Sequence, residues 1–263
     1  MEPLYVIKIG GNVIDNSEKL YHFLKDFTAL NGYKILVHGG GKIATQISEQ
    51  MGIEAQMIDG RRVTNIETLR LVTMVYAGLI NKNIVAQLQR FGTNAIGLTG
   101  ADGNFIKAAK RPVKTIDYGF VGDLNETSVN AQNINNLMEA GFTPAFCALT
   151  HDGDGQMLNT NADTIASALA VAMAAHYETT LIYCFEKKGV LQDIDDEHSL
   201  IQNIDPARYE ELKNEKIIHS GMLPKLNNAF KAIANGVEAV VIGHSDELSN
   251  LQLNKPFGTR LSK

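Results

Sequence analysis

The residues best suited to chemistry lie in two glycine clusters, Lys8-Ile9-Gly10-Gly11-Asn12 and His38-Gly39-Gly40-Gly41-Lys42, each at the end of an apolar run and ahead of a helix-like segment. Without β-carbons, backbone N–H groups can approach an anion closely, and the helix that follows adds the favourable end of its dipole. Glycines after a strand also make ordinary turns. Two such loops on strands expected to be neighbours, one with a lysine at its rim, favour phosphate binding. Neither cluster is the eight-residue phosphate loop ending in Lys-Ser/Thr, nor the dinucleotide pattern Gly-x-Gly-x-x-Gly, so the remaining reading is a triphosphate held in another way.

Three further segments extend this chemistry. In Asp59-Gly60-Arg61-Arg62-Val63-Thr64 an arginine fork could grip a carboxylate bidentately, although exposed arginine pairs are commonplace. Asn159-Thr160-Asn161-Ala162-Asp163 opens an alanine-rich helix, where Asn161 or Asp163 could simply cap, but capping hardly explains the whole polar series. Ser220-Gly221-Met222-Leu223-Pro224-Lys225 puts a lysine in the first turn of a helix, where its charge is locally unfavourable unless it meets an anion. His38 follows Val37 on a strand and reads as scaffold; His151 sits in a polar turn. Neither is given a chemical step.

Positioning these groups calls for alternating strands and helices. Strands are expected over 4–9, 34–38, 95–99, 143–148, 180–184 and 238–242, and helices over 18–30, 43–51, 66–91, 131–140, 162–174 and 223–235. The pattern is α/β with a mainly parallel sheet. Residues 104–124, with Pro112, Gly119 and Gly122, read as β-hairpins beside it. The first half of 66–91 is apolar nearly all round, which fits a core helix and a dimer interface equally. A polar turn at His151-Asp152-Gly153-Asp154-Gly155 is the nearest thing to a boundary. One domain over 1–263 is expected, with an N-terminal lobe, 1–155, and a C-terminal lobe, 156–263.

With 263 residues, 44% hydrophobic and 20% charged, the chain has the composition of a soluble globular protein. Its net charge of −5 and scattered Lys and Arg leave no basic stripe for nucleic acid. No leader pattern and no uninterrupted apolar run of membrane-spanning length is visible, so a cytoplasmic protein without a membrane partner is expected. Cys147 and Cys184 read as reduced core thiols, and no metal-ligand spacing occurs.

In order and spacing, Lys8/Gly10/Gly11, the His38–Gly41 cluster, Gly60-Arg62-Val63-Thr64, Gly119-Phe120-Val121-Gly122, Asn159/Asn161-Ala162-Asp163 and Gly221-Met222/Pro224-Lys225 resemble the acetylglutamate kinases of the amino acid kinase family, up to Gly258-Thr259-Arg260. The resemblance implies an αβα sandwich whose N-terminal lobe binds the acylated amino acid and whose C-terminal lobe binds ATP. It implies phosphorylation of the side-chain carboxylate of an N-acyl-L-glutamate, in arginine biosynthesis. Lys8 and Lys225 would flank the transferring phosphoryl group, with Asp163 orienting both. Gly10, Gly11, Gly40 and Gly41 would line phosphates and substrate, and Arg62 and Asn159 would hold the glutamate. The nucleotide would lie along Glu186, Gly189, Val190, Ser220, Gly221 and Met222, bringing Mg²⁺ with it. Charge neutralisation and alignment are the tasks of such a site, since the acceptor carboxylate arrives deprotonated.

Two stretches depart from the family pattern. Phe146-Cys147-Ala148-Leu149-Thr150-His151 replaces a small polar run near the acyl end, which opens N-succinyl-L-glutamate as an alternative to the N-acetyl compound. Tyr183-Cys184-Phe185-Glu186-Lys187-Lys188-Gly189 lacks the family's Thr-Asp or Ser-Asp pair, with Glu186 as the replacement for the aspartate. The chain begins almost at the first strand, without the extra helix of arginine-sensitive hexamers, so a homodimer without arginine inhibition is expected. A non-catalytic sensor of the same fold is the reading from another class; two retained lysines argue against it.

Overall fold

A strand in the middle of a parallel sheet is covered on both faces, so its residues are apolar in succession rather than alternately. A computed structural model describes residues 1–58, 60–193, 195–215, 217–218, 222–253 and 255–263. In it the strands of the main sheet are β1 (Pro3–Ile9), β2 (Tyr33–His38), β3 (Ala95–Leu98), β4 (Thr143–Cys147), β5 (Glu178–Phe185), β6 (Asn203–Ile204), β7 (Ala239–His244) and β8 (Thr259–Leu261). They form one eight-stranded sheet in the order β6-β8-β7-β5-β1-β2-β4-β3. Every pairing is parallel except β7 with β8. Val6, Ile7, Ile9, Ile35, Leu36, Val37, Leu181 and Ile182 are wholly buried, as central strands require.

The main helices are α1 (Ser17–Ala29), α2 (Gly41–Gln50), α3 (residues 66–90), α4 (Ala131–Glu139), α5 (Ala162–Met173), α6 (Pro206–Asn214) and α7 (Leu223–Ala234). Helices α4, α5 and α7 pack side by side over β4, β1, β5 and β7, while α1 and α3 pack together and α3 also covers β3 and β4. The result is the expected α/β architecture, helix layers around a mainly parallel sheet. The chain builds from β1 to β2 and out to the edge strand β3, inserts β4 between β2 and β3, then returns to lay β5 on the other side of β1. That reversal opens a crevice beyond the carboxyl ends of β1 and its neighbours, where ligands of open α/β sheets bind. Lys8 and both glycine clusters stand there.

Several elements differ from the sequence expectation. Strand β6, at one edge, and β8, between β6 and β7, have only two and three residues, too few for any periodicity to mark them. Helix α6 was also not expected, although Asp205 caps it through the Arg208 amide and Pro206 occupies its first turn. Segment 104–124 forms a single two-residue ladder, Ala109–Lys110 against Gly122–Asp123, plus isolated bridges to Thr64, Val129, His151 and Asn159. Its backbone is spent on lacing the site's walls together instead of on regular hairpins.

Helix α3 is continuous but not uniform. Thr73–Ile80 is π-helical, between α-helical Ile66–Val72 and Asn81–Arg90. By length and mean hydropathy the whole helix could cross a membrane, a property that a count of unbroken apolar residues overlooks because charged residues interrupt it. Its burial accounts for much of that hydropathy: Leu69, Leu71, Val72, Val75, Tyr76, Ile80, Ile84 and Leu88 belong to the core. Ile66, Met74 and Leu79 remain exposed on its outer side. The π turn carries Tyr76 and Ile80 against Gly40, where a β-carbon would come within 2.2 Å of Ile80 Cδ1. With φ at +149°, Gly40 is the residue that both the backbone and this packing demand.

Candidate active site

Parallel neighbours in register point their side chains the same way, and Lys8 is in register with Tyr183 on β5 and Val37 on β2. Its ammonium therefore rises at the sheet's carboxyl edge, between the two halves of the molecule. Lys8 Nζ lies 2.8 Å from Asp163 Oδ1, with the lysine side chain only 12% exposed. The contact is an ion pair without hydrogen-bond alignment. The capping question has a clear outcome: Asn161 Oδ1 accepts from the Thr164 amide and caps α5, which leaves the Asp163 carboxylate to Lys8.

Two cavities open from this point. The first, about 240 Å³, is bounded by Lys8, Gly10 and Gly11, by Gly39–Gly41, and by Arg62, Tyr76, Val121, Asn159 and Ala162. The second, about 500 Å³, is bounded by Lys8, Gly10, Gly11, Gly41, Lys42, Phe185, Glu186, Gly189, Met222 and Lys225. Lys8, Gly10, Gly11 and Gly41 belong to both.

Directional bonds hold the first cavity's wall. Arg62 is buried; its Nη2 donates to Gly41 O at 2.9 Å and to Thr45 Oγ1 at 2.8 Å, while Nη1 is buried with no partner among the described residues. A buried guanidinium nitrogen without an acceptor is costly, and a bound carboxylate would satisfy it. Asn159 Nδ2 donates to Thr64 Oγ1 at 3.0 Å, and that hydroxyl donates to Arg62 O at 3.0 Å. Burial pushes the Tyr76 phenol above its ordinary pKa, with Arg62 beside it pulling the other way.

The second cavity has a different character. Lys225 Nζ sits 3.9 Å from the centre of the Phe185 ring, and Lys8 Nζ 5.6 Å from the same ring. Burial lowers the Lys225 pKa; Asp163 opposes that and Lys8 adds to it. Glu186, Gly189 and Met222 reach this cavity, whereas Val190 is buried in the core with its amide donating to Thr259 Oγ1 at 2.8 Å. Ser220 and Gly221 lie outside the described residues. Lys42 approaches Asp15 at 3.9 Å, and burial raises the Asp15 pKa against that lysine's pull.

The histidines stay outside the chemistry. Asn81 Nδ2 donates to His38 Nε2 at 2.9 Å, so the proton is on Nδ1, which donates to Gly39 O at 2.9 Å. Full burial lowers the His38 pKa to about 4 and keeps it neutral. His151 Nδ1 accepts from the Gly153 amide within its hairpin turn. Cys147 and Cys184 are free and buried, and burial pushes each thiol up to about 12. Among the described residues no three metal-ligating side chains converge.

Tyr76 escapes the sequence reading, and Thr64 and Phe185 enter it only inside longer motifs, with no role of their own. An aromatic within an apolar run reads as core, and only the place of Phe185 immediately before Glu186 and the lysines hinted at more.

The comparisons with known proteins agree with this geometry. The model of the amino acid kinase family matches residues 3–244. An acetylglutamate kinase of Cytophaga hutchinsonii is 57% identical over 263 residues, covering 99% of either chain. One from Bacteroides thetaiotaomicron is 51% identical, covering 100% of this chain and 99% of that one. Among solved structures, smu.665 of Streptococcus mutans superimposes with a TM-score of 0.76 at 30% identity, covering 99% of this chain and 98% of that one. On these grounds the chain belongs to the amino acid kinase family.

Proposed function

We propose that this protein transfers the γ-phosphoryl group of ATP to the side-chain carboxylate of N-acetyl-L-glutamate, the second step of arginine biosynthesis. Its relatives at over 50% identity across nearly the whole chain bear the name of that kinase. The observation that carries the reading is the meeting of two cavities at Lys8, Gly10, Gly11 and Gly41, which puts an acceptor and a donor on either side of one ammonium.

In this reading Arg62 Nη1 and Asn159 grip the acylglutamate, with Gly40 and Gly41 beneath it. Gly10 and Gly11 offer backbone N–H groups to the phosphates. Glu186, Gly189 and Met222 border the nucleotide. The new bond joins a carboxylate oxygen to the γ-phosphorus, and the bond from that phosphorus to the β,γ-bridging oxygen breaks. Lys8 and Lys225 neutralise the charge gathered between two approaching anions, and Asp163 holds Lys8 in place. No base is required, because the acceptor is ionised at neutral pH. Mg²⁺ would be carried by the phosphate oxygens, since the described residues offer no cluster of protein ligands for it, and would add positive charge there.

The N-terminal lobe, 1–155, then serves the acceptor and the C-terminal lobe, 156–263, the nucleotide. A cytoplasmic homodimer completes the reading, and the exposed Ile66, Met74 and Leu79 of α3 fit a joining face. No nucleic acid and no membrane takes part.

The test is hydroxamate formation with Mg·ATP and N-acetyl-L-glutamate, N-succinyl-L-glutamate or L-glutamate. Product from the acetyl compound is expected. Product from the succinyl compound alone would transfer the reading to that substrate, and product from none would return the chain to a sensor.

A further inference from the structure

Strand geometry puts an aromatic ring where the reacting charges converge. Lys8 is in register with Tyr183, and Phe185 is two residues further along β5, on the same side of the sheet as Tyr183. The two rings stack with centroids 6.1 Å apart and planes at 23°. The Tyr183 hydroxyl is 3.3 Å from the Asp163 backbone oxygen, tying this stack to the first turn of α5. Lys225 comes from a different element, α7, yet its ammonium lies over the Phe185 ring at 3.9 Å, and that of Lys8 at 5.6 Å.

From this geometry we infer that Phe185 is a positioning residue for both lysines, its ring holding them side by side before the phosphoryl group arrives. The idea rests on the proposed phosphoryl transfer. Two ammonium groups repel, and one carboxylate, Asp163, balances only one of them. The negative face of an aromatic ring attracts a cation without neutralising it or competing as a ligand for the phosphate. Each lysine therefore keeps its full charge for the transition state while its position is restricted. A carboxylate in place of the ring would hold the lysines more tightly but would repel the incoming anion. The lowered Lys225 pKa agrees with an ammonium drawn out of water.

The experiment has two arms. In the resting enzyme, with lysines reductively ¹³C-dimethylated, ring current should shift the Lys225 methyl signal upfield, identified by its loss in Lys225→Arg. Phe185→Leu should abolish the shift and Phe185→Tyr should retain it. Kinetically, Phe185→Leu should lower kcat about tenfold, the range of a desolvated cation–π contact, with the acylglutamate KM within about twofold of normal. Phe185→Tyr should restore kcat. An absent shift in the native enzyme, or unchanged kcat in a folded Phe185→Leu variant, would overturn the inference. The spectral arm needs no turnover, so loss of the kinase reading and loss of this one give different results.

Discussion

The two cavities that share Lys8 are built on opposite principles. In the acceptor cavity Arg62 is fixed by Gly41 and Thr45, and Asn159 by Thr64, which itself donates to the arginine's carbonyl. These bonds have direction and tolerate little displacement. In the larger cavity Lys225 is held by the Phe185 ring and by charge, neither of which has a strict angular preference. The contrast matches the two ligands proposed: a compact acylglutamate with one shape, and a long nucleotide that must be seated and released as product in every cycle.

The contrast breaks most severely at the shared point. Lys8→Ala and Lys225→Ala should each reduce kcat a hundredfold or more, because removing one transition-state charge donor costs roughly 3–4 kcal/mol. Steady-state rates on variants with native circular dichroism check this; near-normal turnover removes that lysine from the mechanism. Acid should weaken the acceptor side next. The folded His38 pKa of about 4 lies below the ordinary 6.5, so its stabilisation is complete above pH 6.5 and is lost as pH falls towards 4. That gap amounts to roughly 3 kcal/mol. Urea midpoints should fall over this window in the native protein and less steeply in His38→Gln; parallel slopes would contradict the assignment.

A more selective break is Arg62→Ala. Truncating a buried, hydrogen-bonded charge that grips a carboxylate costs at least about 2 kcal/mol, so KM for N-acetyl-L-glutamate should rise roughly thirtyfold while KM for ATP stays put. Equal changes in both constants would mean that Arg62 supports the loops rather than the ligand.

Which features could be read from the sequence follows the same division. Central strands were legible because Val6, Ile7 and Ile9 and the run Ile35–Val37 are buried among apolar neighbours, and Lys8 stood out as the charged break in the first of them. The glycine loops were legible because two of them close neighbouring strands ahead of helices, one with a lysine at its rim. The short strands β6 and β8 were not, since their pairing depends on partners distant in the chain. The π turn of α3 leaves apolar composition unchanged and alters only which way Tyr76 and Ile80 face. Charged and amide groups of the acceptor cavity stood out by type; the ring under Lys225 looked like core, because cation–π contacts borrow residues that cores already use.

The smallest expected effect separates the cavities by pH. Lys225 works as a cation, and burial sets its pKa below the ordinary lysine value of 10.5. As pH rises through that lowered value, the ammonium loses its proton and its hold on the phosphates, so kcat/KM for ATP should bend downwards before pH 10.5. An arginine does not titrate there, so Lys225→Arg should remove the bend even if it lowers the plateau. Binding of N-acetyl-L-glutamate alone, followed by calorimetry, should not share the bend, because Arg62 and Asn159 border its cavity and Lys225 does not. A bend common to both ligands would place the titrating group at the shared point, and the division between a rigid acceptor side and an adjustable nucleotide side would fail.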